Sequence, residues 1–182
     1  MIWAPRLIAR IALFSALCYV FGWLFFWLPN VNLMYLVVFS AGFLWGATPG
    51  AMVGAIGMWL WSAFNPGGPT DPLTTIAQVI GMVIIGLLGA AFERFGWHRG
   101  PLWLRTFRLG LAGAVCTAVF FVPVSAVDAW LYQPFWPRFV VGMSWSAVAA
   151  GFNCLAFALL FPATLYLYGK ERKISWSAPS SS

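Results

Sequence analysis

The sequence predicts an all-α integral membrane protein, a bundle of six transmembrane helices with N and C termini cytoplasmic. Three observations lead there. Of 182 residues, 62% are hydrophobic and only 8% charged, with a mean hydropathy of +0.86, whereas a water-soluble domain carries roughly 25% charged residues. That deficit excludes a soluble enzyme, a disordered chain and a free nucleic-acid-binding domain. Second, apolar runs recur at close to the ~20 residues needed to cross a bilayer. Third, the basic residues behind the net charge of +6 sit at the ends of those runs. That placement is a topology signal and not a nucleic-acid footprint.

The elements follow in order. The first span covers residues 7–28 and stops at Pro29-Asn30. Arg6 and Arg10 ahead of it resemble a signal peptide, but no small-x-small cleavage site precedes Pro29, so the run is read as a retained helix. The second, 33–47, is short and ends at Thr48-Pro49-Gly50; the third covers 51–64. One bent helix over both would be ~48 Å long, too much for a core of ~30 Å, so a tight hairpin of short, tilted helices is expected. The loop from Asn65 to Pro72 is rich in proline and glycine and cannot continue a helix. The fourth and fifth spans are 74–92 and 107–127, with a basic loop between them. The sixth, 138–169, is too long for one simple span, so Pro162 breaks it or its end emerges into water. Residues 1–173 are thus one bundle, and 174–182 a polar, disordered tail.

Charge tests the count. Arg6 and Arg10, then Arg94, Arg99, Arg105 and Arg108, then Lys170, Arg172 and Lys173 all fall on one side if the chain crosses six times. Arg138, beside Asp128, is the exception at the opposite face. Basic residues mark the cytoplasmic side.

Small residues recur at helical spacing. Gly42, Gly46, Gly50 and Gly54 are four apart, and Ala12-x-x-x-Ala16 lies in the first helix. In lipid, close backbone contact at small residues holds helices together. Such stripes serve internal packing or a partner, and Ala12 and Ala16 are the best partner-docking candidates. Polar side chains are sparse. Asn65, Asp128 and Tyr132 fall on the outer side, and Gln78 and Asn153 fall within spans, where an unpartnered amide is costly. With Trp59, Trp136 and neighbouring indoles they outline an outward bowl, the candidate substrate-binding site; the plainer alternative is an interfacial aromatic belt with helix-bridging amides.

Enzymatic chemistry needs convergent titratable groups, and none assembles: His98 is the only histidine, Cys18, Cys116 and Cys154 fit no metal or redox spacing, and no nucleotide motif is present. No catalytic residue, metal or cofactor is expected, and no nucleic-acid partner. With no ATP site, active transport would draw its energy from another subunit.

The stretch 33–90 resembles the substrate-binding (S) component of an energy-coupling factor (ECF) vitamin transporter. The residues concerned are the hairpin Phe43-Leu44-Trp45-Gly46-Ala47-Thr48-Pro49-Gly50-Ala51-Met52-Val53-Gly54, the loop Phe64-Asn65-Pro66-Gly67-Gly68-Pro69 and the helix start Ala77-Gln78-Val79-Ile80-Gly81-Met82. Six helices in about 20 kDa and Ala12-x-x-x-Ala16 agree with it. The resemblance implies a non-enzymatic subunit of a bacterial or archaeal cytoplasmic membrane. It would capture a vitamin or related micronutrient at the extracytoplasmic face and dock, through Ala12 and Ala16, on a membrane coupling protein driven by ATPase subunits. Asn65, Gln78, Asp128, Tyr132 and Asn153 occupy the regions matching its binding site. The loop after the first helix, 29–32, is shorter than the lid of some members. The rival expectation is a structural scaffold protein of the cell envelope with no small-molecule ligand.

Overall fold

The computed structural model describes residues 5–28 and 31–177, with side chains to Glu171. Six helices make up the described chain: α1 (Pro5–Leu24), α2 (Met34–Trp45), α3 (Ala47–Phe64), α4 (Pro72–Arg94), α5 (Leu102–Leu131) and α6 (Phe135–Ser177). No strand occurs among the described residues. α1, α4, α5 and α6 are long and apolar enough to cross a membrane, so the chain is a membrane-embedded helical protein. The stop at Pro29-Asn30 and residues 178–182 of the expected tail lie outside the described residues, while 174–177 continue α6.

α2 is the axis of the bundle. Every residue from Met34 to Phe43 is buried, as befits a helix that is apolar all round. Its 12 residues reach only about 18 Å, but α1, α3, α4, α5 and α6 all pack around it. Phe39 and Phe43 lock it to Phe92 and Phe161 through three edge-on ring contacts and one tilted one, at 5.0–6.5 Å. Between α2 and α6, the Ser40 and Thr164 hydroxyls share a buried hydrogen bond of 2.8 Å.

The hairpin breaks earlier than the sequence suggests. The expected stop at Thr48-Pro49-Gly50 lies inside α3, and the chain turns at Gly46, which has φ +94°. Glycine adopts that backbone without a Cβ penalty. Proline is tolerated in a first helical turn, where amides have no intrahelical acceptor, and Pro49 is the third residue of α3. The glycine ladder then packs backbone on backbone: a Cβ on Gly42 would fall 1.9 Å from the Gly86 carbonyl oxygen, and one on Gly86 2.3 Å from the Gly50 carbonyl carbon. At Gly42, Gly50 and Gly54 the stripe serves internal packing, while Gly46 makes the turn and has open space beside it.

α5 begins at Leu102, five residues before its expected start, and runs through Pro123. α6 runs unbroken through Pro162 for 43 residues, about 65 Å, so of the two expectations the break at Pro162 is absent, and the helix is long enough for its end to pass beyond a bilayer core. Proline inside a membrane helix is accommodated where neighbours and local adjustment make good the lost bond.

The helices alternate in direction, giving the bundle two chemically distinct ends. At the basic end, Arg10 pairs with Glu171, the Tyr168 hydroxyl donates to Glu93, and the Arg10 guanidinium lies 5.8 Å from the Trp45 ring. At the far end Tyr19 donates to the Phe64 carbonyl at 3.1 Å and Arg138 pairs with Asp128 at 3.1 Å.

Candidate functional site

Two adjoining hollows open at the far end. The first, about 260 Å³, lies among α1 to α5 and is walled by Phe26, Tyr35, Met58 and Trp61, with Asn32 and Gln78 as its amides. The second, about 350 Å³, lies among α4, α5 and α6, with Thr74, Gln78, Ser125, Asp128 and Trp145 around it. Gln78, Phe121 and Val124 line both. Apolar walls with a few convergent polar groups are the usual make-up of a small-molecule site.

Gln78 is held by α3. The Ser62 hydroxyl lies 2.9 Å from the Met58 carbonyl and 2.8 Å from Gln78 Oε1. One hydroxyl carries one proton and cannot serve both acceptors at once. The pattern closes when the amide is turned, so that its nitrogen donates to Ser62 and the Ser62 proton goes to Met58. The amide oxygen is then the acceptor left for an occupant of the hollow.

Asp128 reaches the second hollow from the last turns of α5. Its Oδ2 accepts from Arg138 Nε at 3.1 Å, and the same guanidinium lies 5.0 Å from the Tyr132 ring. Both partners of this ion pair are well exposed, so it adds little to stability and leaves a carboxylate and a guanidinium at the rim.

The other sequence candidates do different work. Asn65 Oδ1 accepts from the Gly67 amide at 2.9 Å and pins the α3–α4 loop. Asn153 is buried in α6, where its amide donates to Thr117 of α5 at 2.9 Å, away from both hollows. Tyr132, Trp59 and Trp136 are exposed, the tryptophans in ring contact with Phe64 and with Phe135 and Phe139 respectively. Of the seven substrate-binding candidates, the structure thus brings Gln78 and Asp128 together and leaves the other five outside the hollows. Ala12 and Ala16 are exposed on α1, on the side away from Ile11, Ser15 and Cys18, which face the bundle.

Residue type alone misses several walls. Tyr35 and Met34 come from α2, which has no polar face to betray which side meets a hollow. Asn32 and Trp61, an outer-side amide and an outer-side indole by sequence, do line the first hollow. Thr74 belongs to the first turn of α4, where Asp71 caps the helix by accepting from the Thr74 amide at 2.9 Å. Desolvation alone would raise the Asp71 carboxyl, but hydrogen bonds from Thr74, Leu73 and its own amide outweigh it and hold it below the ordinary carboxylate value. No group of three or more His, Cys, Asp or Glu side chains suited to a metal ion occurs among the described residues.

Compared with protein-family models, with curated proteins and with solved structures, the chain gives no match. The functional reading therefore rests on the residues and their geometry.

Proposed function

We propose that this protein is the substrate-capture subunit of an ECF-type, ATP-driven micronutrient importer. It crosses the cytoplasmic membrane six times with both termini inside, and holds a vitamin-like molecule in the far-end hollows. The observation that carries this reading is the pair of adjoining hollows with Gln78 at their junction and Asp128 at the rim. Apolar walls would supply most of the affinity, with the Gln78 amide oxygen and the Asp128–Arg138 pair fixing orientation. The short α2 is compatible with six crossings, because a helix enclosed by five others need not itself match the bilayer. Nine of the ten basic residues would then share the inner side. The exposed Ala12 and Ala16 on α1 support docking on a coupling protein.

Two substitutions test the reading. Gln78→Leu keeps the side-chain volume and removes the acceptor, so micronutrient affinity should fall about tenfold, an energy of ~1.4 kcal/mol, with the melting temperature nearly unchanged. Unaltered affinity would place the ligand elsewhere. Ala12→Trp should leave binding intact while abolishing uptake in cells that carry the coupling and ATPase subunits. Retained uptake would remove the docking role from α1. A scaffold protein would bind no micronutrient in either form.

A further inference from the structure

A third cavity has a different character and position. It is a groove of about 440 Å³ between α4 and α5, near the basic end, walled by Leu88, Phe92, Leu111, Ala112 and Val115 with buried Phe39 as its floor. Arg108 and Trp97 are the only lining residues that bear a polar side-chain group apart from the thiol of Cys116. From Arg108, α5 carries the groove about 10 Å, or two turns, to Val115. Leu111 and Val115 are themselves exposed on the bundle's outer surface, so the groove opens sideways to the membrane's hydrocarbon.

Charge is unbalanced at its mouth. Nine basic residues belong to this end of the bundle, against two carboxylates, Glu93 and Glu171. Glu171 is taken by Arg10, and Glu93 accepts from Tyr168. The Arg108 guanidinium has no carboxylate partner among the described residues; it donates only to the Arg99 carbonyl, at a long 3.4 Å. The exposed Trp97 lines the groove with it, as indoles do at the level of lipid headgroups. An unneutralised guanidinium beside an apolar groove suits a phosphate joined to a hydrocarbon chain, the commonest anion at a membrane surface.

We propose that the α4–α5 groove holds one acyl chain of an anionic phospholipid whose phosphate pairs with Arg108. The proposal rests on the membrane location of the helices and not on the micronutrient reading, so the two fail separately.

Native mass spectrometry of the full-length protein in detergent, given equal amounts of phosphatidylglycerol and phosphatidylcholine of the same chain length, tests it. The wild-type protein should carry phosphatidylglycerol in preference by about fivefold, the effect of one basic residue near a charged lipid. Arg108→Gln, at a half-buried position, should bind both lipids equally while keeping the wild-type melting temperature. Ala112→Trp should fill the groove and remove the adduct of either lipid. Equal binding by the wild type, a preference that survives Arg108→Gln, or adducts that survive Ala112→Trp in folded protein would each overturn the proposal. So would a second copy of the chain or a non-lipid molecule in place of the phospholipid, which the same spectra would reveal by mass.

Discussion

The two faces of α4 pack by different means. Toward α2 and α3, Gly86 and Gly89 meet Gly50 and Phe39 at backbone distance, and a Cβ on Gly89 would come within 2.0 Å of the Phe39 carbonyl oxygen. Toward α5 the close approach is confined to Gly81 against Phe120, and the second far-end hollow, lined by Gln78, and the basic-end groove, lined by Leu88 and Phe92, lie along the rest of that seam. The α5–α6 pair joins the rest of the bundle through this seam, through contacts with α2, and at the basic end through Arg10–Glu171 and Tyr168–Glu93. Backbone-to-backbone packing excludes occupants; side-chain packing around the seam leaves room for them.

Breaking the tight face should have the largest effect. Gly86→Val puts a branched side chain where a Cβ would already lie 2.3 Å from Gly50 backbone. Overpacking costs about 1–3 kcal/mol where side chains can yield, and backbone cannot yield cheaply, so little or no monodisperse protein should survive purification. Recovery of wild-type yield would mean that α3 and α4 are not in backbone contact.

The cap that starts α4 affects both faces together. Asp71→Ala should lower stability by about 1 kcal/mol, read as a fall in melting temperature. Because the folded carboxyl lies below its ordinary value of 3.8, the cap's contribution is present above about pH 4 and is lost as pH falls through the lower folded value. The difference between wild type and variant should therefore narrow on acidification. A difference that is constant with pH would place the effect on packing.

The smallest effect belongs to the loose face. Leu88→Phe adds bulk two residues from Gly86, but into the groove, and a change within about 0.5 kcal/mol is expected. If it destabilised as much as Gly86→Val, the contrast between the faces would fail.

Much of this fold is legible in the sequence because the bilayer allows few solutions. Run length gives the helices, and the i, i+4 glycines mark where they meet. Helix ends are harder to read. Proline looks like a stop at Pro49 and Pro162, yet the first sits in an opening turn and the second within a continuous helix, while the real turn is a glycine with positive φ. The site is legible only in part, for a related reason. Asn65, Gln78 and Asn153 offer the same amide, but one staples a loop, one joins α5 to α6 and one borders the hollows. Chemical type says that an amide in a membrane protein needs a partner. It does not say whether that partner is the chain itself or a ligand, and only the packing of α4 against α5 distinguishes them.

The occupant of the far-end hollows is the matter on which the account turns. Wild-type protein and Val124→Trp, whose indole would enter both hollows, can be purified side by side from cells grown on a rich vitamin mixture. Each is then denatured and the released small molecules weighed by mass spectrometry. The account predicts one micronutrient released near one per chain from the wild type and none from folded Val124→Trp. No released molecule from the wild type under those conditions, or equal amounts from both proteins, would contradict it.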